Sequence, residues 1–199
     1  MKKSTLLLAV SGILFFHPPA VADIEQAEQL AEIRALHAKI AQAEPSKTET
    51  IDFEIPDDPM SGKITRRTYE GGLSAIKLSY TAGDHGGSDQ NFYFVGKELF
   101  FILVQDSSWQ FAPGSTEEKP KTEDTLAETR YYVREGKFIH ALKRSATSGD
   151  AAKLPALLEK AENAAFKPKE EGDSLLKRAA FLQTVTSKEE AVKFFSEER

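Results

Sequence analysis

Apolar residues recur at spacings of three and four from Ile24 to Ala43, at Ala27, Leu30, Ile33, Leu36 and Ile40, within a run of strong helix formers. This pattern predicts an amphipathic helix, closed at Glu44-Pro45 because the residue before a proline is pushed out of helical backbone. From Thr50 to Arg144 the texture changes to short β-branched and aromatic runs separated by Gly, Pro, Asp and Ser. Strands are predicted near 50–55, 63–69, 73–81, 89–95, 98–105, 108–111, 126–134 and 137–144. Turn residues at Asp57-Asp58-Pro59, Gly71-Gly72, Gly83 to Gly87, Gly96-Lys97 and Glu135-Gly136 join them as a meander, and no structure is expected from Pro113 to Asp124. Helical texture returns at Leu154–Phe166, Ser174–Thr184 and Ser187–Glu198, the last opened by a Ser187/Glu190 capping box. The implied fold class is α+β, an antiparallel β-meander sheet packed with an N-terminal helix and two to three C-terminal helices.

Strand parity ranks the strands. In Leu73–Thr81, Ile76, Leu78 and Tyr80 alternate with Lys77, Ser79 and Thr81, so one face is wet. Phe92-Tyr93-Phe94-Val95 and Leu99 to Val104 are apolar on both parities, which places them mid-sheet and covered above and below. The terminal helices are expected together on one face. What covers the other, the chain itself or an outside molecule, is left open by the sequence.

The N-terminus changes the setting. Lys2 and Lys3, an apolar run from Leu6 to Phe16, and Ala20-Val21-Ala22 form a secretory signal pattern over 1–22, leaving 23–199 as a single domain that starts at Asp23. The apolar run is too short to span a bilayer, and His17-Pro18-Pro19 ends it, so no stable membrane anchor is expected after cleavage. Removing Lys2 and Lys3 leaves 31 acidic against 24 basic residues, a net charge near −7. An acidic domain offers no counterion-releasing stripe for nucleic acid. The chain has no cysteine, which excludes disulfides, thiolate metal sites, a cysteine nucleophile and a lipidated cysteine anchor. A secreted or bacterial periplasmic location fits these features.

Two stretches share a plan: Asn91-Phe-Tyr-Phe-Val-Gly-Lys-Glu-Leu-Phe-Phe and Arg130-Tyr-Tyr-Val-Arg-Glu-Gly-Lys-Phe-Ile-His each place an aromatic pair before a short Gly-Lys turn and an apolar strand. They read as one hairpin used twice, too few copies for a propeller or solenoid. These Tyr-Tyr-x-x-x-Gly-Lys hairpins, over about 92–101 and 131–140, resemble those of poorly characterised exported bacterial β-meander proteins. They are more distantly similar to repeats of toxin–antitoxin partner proteins, and Tyr69-Glu70-Gly71-Gly72 resembles the opening of a membrane-occupation repeat. None of these resemblances implies a catalytic residue.

Candidate chemistry concentrates at Asp84-His85-Gly86-Gly87-Ser88-Asp89, where carboxylates, a histidine and a hydroxyl share a glycine loop. The loop reads either as a polar hairpin turn or as a ligand, metal or general-base site built on Asp84, His85 and Asp89. Trp109 reads as a core cap or a recognition anchor. His37 and His140 read as structural. Ser174-Leu175-Leu176-Lys177 matches a Ser-x-x-Lys pattern but reads as a helix N-terminus, and Arg66-Arg67 and Lys143-Arg144 as solvated edge pairs. No catalytic residue, metal ligand set or cofactor is implied. The expected role is an exported non-catalytic binding or interaction protein using an aromatic face of the sheet, with a protein or small-molecule partner in the cell envelope and no nucleic acid. The alternative is a secreted or periplasmic hydrolase or metal-dependent enzyme at the 83–89 loop.

Overall fold

The computed structural model describes residues 21–84, 86–168 and 170–198, so the leader read at 1–22 lies almost wholly outside the described residues. A single antiparallel sheet runs in chain order: β1 (Lys47–Glu54), β2 (Met60–Thr68), β3 (Leu73–Ala82), β4 (Gly86–Val95), β5 (Glu98–Phe111), β6 (Thr122–Arg134), β7 (Lys137–Ser148) and a two-residue β8 (Ala164–Ala165). Its helices are α1 (Val21–Gln42), α2 (Leu154–Lys160), α3 (Glu170–Thr184) and α4 (Lys188–Glu197). This is the α+β meander expected from the pattern of residues. Among the described residues no helix is long and apolar enough to cross a membrane.

The central strands are covered on both faces by the chain itself, and the helices divide between the faces rather than sharing one. On the first face Ile33 and Ile40 of α1 pack with Tyr69, Leu73, Ala75, Phe100, Phe101 and Tyr132. On the second, Leu175, Ala179 and Leu182 of α3 and Ala191 and Phe195 of α4 close over Phe53, Ile64, Ile76, Leu78, Phe92, Phe94 and Ile102. Full burial of each of the larger aliphatic and phenylalanine side chains contributes roughly 1.5–3 kcal/mol. Phe195 stacks on Phe53 at 4.8 Å and Phe194 on Phe181 at 3.9 Å, which ties α4 to the sheet and to α3.

Both covering layers cross the strands near the same end of the sheet. Gln26 Nε2 of α1 donates to Ile139 O on β7 at 2.7 Å, and Ile40 reaches the β3 side of the core. Opposite, the N-terminal turn of α3 lies against Phe138 of β7, while Arg66 of β2 donates to Leu182 O and Val185 O at its C-terminal end, at 2.8 and 3.0 Å. Arg66 is therefore a partly buried cap for the carbonyls that end α3, and β2 is not an edge strand, contrary to the solvated reading. A polar chain adds a second clasp: Arg178 of α3 binds Glu198 and donates to Gln90 Oε1 at 2.7 Å, Gln90 donates to Ser88 Oγ, and Ser88 to Asp106.

The repeated hairpin is repeated in three dimensions. Each copy turns through two residues, 96–97 and 135–136, and each breaks register at the same step. Tyr93 faces Phe101 but Phe94 faces Leu99, and Tyr132 faces His140 but Val133 faces Phe138, so Phe100 and Ile139 are the inserted residues. A bulge puts two successive side chains on one face and increases twist. Phe100 and Phe101 thereby both join the layer beneath α1, with Ile139 packed against it.

Several boundaries differ from expectation. The runs at 98–105 and 108–111 are one strand, and Gly86-Gly87 belong to β4. The helix expected to reach Phe166 ends at Lys160, after which the chain pairs with β7 as β8 and sets the Phe166 ring against Tyr131. Ser174 lies inside α3 rather than at its start. Ser187 does cap α4, accepting from Glu190 N at 3.2 Å, while the Glu190 carboxylate accepts from Thr186 N at 2.8 Å.

Gly62 sits opposite Phe53, and a Cβ there would lie 2.5 Å from the Phe53 ring and 2.9 Å from Ser79 O. Gly62→Ala is expected to cost about 1–3 kcal/mol by displacing a ring that also stacks on Phe195. The readout is a lower midpoint in urea unfolding at unchanged slope; an unchanged midpoint would mean that Phe53 moves aside freely.

Candidate functional site

Among the described residues, the candidates of the glycine loop stand on different elements. Asp84 lies exposed in the turn between β3 and β4, Asp89 stands on β4, Trp109 stands on β5, and His85 is outside the described residues. Trp109 does meet the loop, donating from Nε1 to Asp84 O at 2.6 Å, and its ring meets Phe111 edge-on at 5.7 Å. The link uses a backbone carbonyl and holds the turn. Phe111 is 64 % exposed, which leaves this aromatic pair at the rim of the sheet.

Asp89 is engaged with Lys77 Nζ at 2.8 Å. Partial burial works to raise its pKa, but hydrogen bonds from Lys77 and Ser79 outweigh it and hold the carboxyl below the usual carboxylate range. A carboxylate kept ionised and occupied in this way is a poor proton acceptor. Around it, Ser79, Gln105 and Ser107 line a shallow hollow of about 580 Å³ on the part of the face beyond α1. Among the described residues no three His, Asp or Glu side chains group to hold a metal.

A better-formed recess lies where α1 crosses the aromatic face. It holds about 250 Å³ between Ile33, Arg34 and His37 of α1 and Phe101, Leu103, Glu128, Arg130 and Tyr132 of the sheet. Helical spacing supplies one wall, since Ile33, Arg34 and His37 span a single turn that faces the sheet. Strand alternation supplies the other, because Glu128, Arg130 and Tyr132 are successive same-face positions on β6.

Electrostatics organise this wall. The Glu128 side chain is only 7 % exposed, and its Oε1 accepts from Arg144 Nε at 2.9 Å and meets Arg130, while Oε2 accepts from Gln105 Nε2 at 3.2 Å. Burial works to raise the Glu128 pKa, but hydrogen bonds and charge from Arg144 and Arg130 more than offset this, and the net shift is downward. Arg144 is thus a partner of a buried carboxylate, not a free edge charge. The Arg34 guanidinium lies 5.7 Å above the Tyr132 ring centroid. His37 meets Tyr93 and Phe101 edge-on at 4.8 and 5.0 Å, and burial followed by the nearby Arg130 charge lowers its pKa, which keeps the imidazole neutral. His140 stacks obliquely with Tyr132 at 5.6 Å, away from the recess lining.

Sequence reading missed Arg34, Glu128, Arg130 and Tyr132 as a group, and took His37 as structural. The available signal was an arginine and a histidine one turn apart beside the apolar stripe of α1, together with Glu128 and Arg130 alternating into the first aromatic pair of the second hairpin. The class defined by these features is a helix-covered antiparallel meander with an arginine-lined recess. Compared with models of known protein families, with curated proteins and with solved structures, the chain has no match.

Removing the buried carboxylate should expose the strength of this wall. Glu128→Ala is expected to cost about 3 kcal/mol, the low end for a broken buried pair because both arginines keep access to water. Because the folded-state pKa of Glu128 lies below its unfolded value, its contribution is complete above the ordinary glutamate range and is lost as pH falls through the lowered value. The stability gap between wild type and variant, measured by urea unfolding, should therefore narrow on acidification. A gap independent of pH would assign the loss to packing.

Proposed function

We propose that this protein is an exported, non-catalytic binding module that takes a small ligand against the aromatic face of its antiparallel sheet, in the recess beneath α1. The observation that carries the reading is the recess itself: apolar walls of Ile33, Phe101 and Leu103 meet convergent polar groups where α1 crosses the sheet. Its size favours a small molecule over a protein partner. Export is supported by the leader pattern of residues 1–22, and the resemblance to exported β-meander proteins agrees with that setting. The enzyme alternative at 83–89 is less well supported, because Asp89 is committed to Lys77 and the Asp84 link runs through its backbone.

Two measurements test this reading. N-terminal sequencing of the protein recovered outside the cytoplasm should begin at Asp23; intact Met1 in the cytoplasmic fraction alone would remove the export half. In a fragment screen followed by ¹H–¹⁵N shifts, perturbations should cluster at residues 33–37, 101–103 and 128–132. Filling the recess by Leu103→Trp should abolish them while the remaining spectrum keeps its dispersion. Perturbations confined to 83–89 and 105–111 would relocate the site, and none anywhere would end the binding reading.

A further inference from the structure

The recess holds more positive charge than its own carboxylate can balance. Arg130 and Arg144 converge on the single carboxylate of Glu128, and Arg34 is added from the helix side. Among the described residues Arg34 has the Tyr132 ring beneath it and no carboxylate within ion-pair distance. The neighbouring acids are already engaged: Glu32 with Arg134 at 2.9 Å, and Asp89 with Lys77. The remaining titratable groups on the recess lining are Tyr132 and His37, and His37, whose pKa is lowered by burial and then by Arg130, offers no negative charge to offset this excess. Three guanidinium groups therefore stand against one carboxylate at the edge of a partly desolvated cavity, where charge pairing is stronger than in bulk water.

We propose that the recess is a seat for a small organic monoanion, a carboxylate with a compact or flat apolar body. The inference rests on the binding reading above and names its ligand class. Arg34 and Arg130 approach from opposite walls and present planar donor forks suited to two carboxylate oxygens. Stacking on Tyr132 restrains the Arg34 head, which reduces the entropy lost when it engages a ligand. Ile33, Phe101 and Leu103 have no polar atoms to offer, so they select an apolar body rather than a bare inorganic ion. A volume of about 250 Å³ corresponds to roughly eight waters at ~30 Å³ each, which limits the ligand to about ten heavy atoms.

The test titrates the purified protein with benzoate, its neutral isostere benzamide, and inorganic phosphate, following backbone shifts at 33–37 and 128–132. Benzoate should bind at least ~10-fold tighter than benzamide, and Arg34→Gln should bring that ratio towards one, with Arg34→Lys in between. Arg34 is exposed on α1, so the variant tests charge without opening the core. Bound benzoate should also raise the His37 pKa, because an added anion favours the imidazolium that burial and Arg130 disfavour. Equal binding of benzoate and benzamide, insensitive to Arg34, would overturn the anionic assignment and leave the recess as an apolar seat. Phosphate matching benzoate would overturn the organic part. Failure of both aromatic probes, together with silence at the recess in the fragment screen, would remove the binding reading as well.

Discussion

The central hairpin of β4 and β5 is apolar on both sides, and the rest of the architecture follows from the need to keep both sides dry. Phe92, Phe94 and Ile102 point one way and Tyr93, Phe100 and Phe101 the other. A meander whose middle strands carry this pattern cannot leave one face in water, as an ordinary antiparallel sheet can. The chain meets the constraint with segments from its two ends, α1 laid across one face and α3 with α4 across the other.

The paired bulges link that constraint to the geometry of the site. Without an inserted residue, β5 would place Phe100 and Phe101 on opposite faces; the bulge turns both towards α1 and broadens the aromatic bed. The second hairpin does the same with Ile139 and His140, and the Ile139 carbonyl accepts the Gln26 side chain near the start of α1. The repeated plan thus gives the helix two equivalent footholds. Between them, Tyr132 and Phe101 floor the recess.

Much of the fold is written locally, and what was missed is instructive. Parity alone identifies β3 as half-wet and β4 and β5 as central, because alternation within one strand reports directly on its two faces. The pattern splits β5 in two at Asp106-Ser107, where the polar residues mark a strand running beyond its helical cover rather than a break. Gly86-Gly87 read locally as loop, yet a Cβ at Gly86 would collide with the Ser107 carbonyl, so the glycine permits close pairing of β4 with β5. The division of the helices between faces was not legible, since an amphipathic stripe announces that a helix must be buried without saying against what. The recess was hidden for the same reason: Arg34 and Arg130 gain meaning only when α1 crosses β6. In the glycine loop, locally rich in polar chemistry, Trp109 holds the backbone at Asp84.

The two faces differ in how they are sealed, and this explains why the proposed seat lies under α1 and not under α3 and α4. The second face has two helices, stacked phenylalanines, the Arg66 cap and the Arg178 clasp, which together fill the space between layers and leave the buried Arg66 Nε without a hydrogen-bond partner among the described residues. The first face has one helix of fixed width across a wide sheet. Beyond the stripe of Ile33 and Ile40 the sheet surface must change from aromatic to polar, and Glu128 with Arg130 and Arg144 stands at that transition. Charges at the border of a dry core are costly unless paired, and two guanidinium groups sharing one carboxylate leave the border electropositive. Arg34, held over Tyr132 from the helix side, completes an opening whose chemistry is set by the edge of the cover rather than by any motif along the chain.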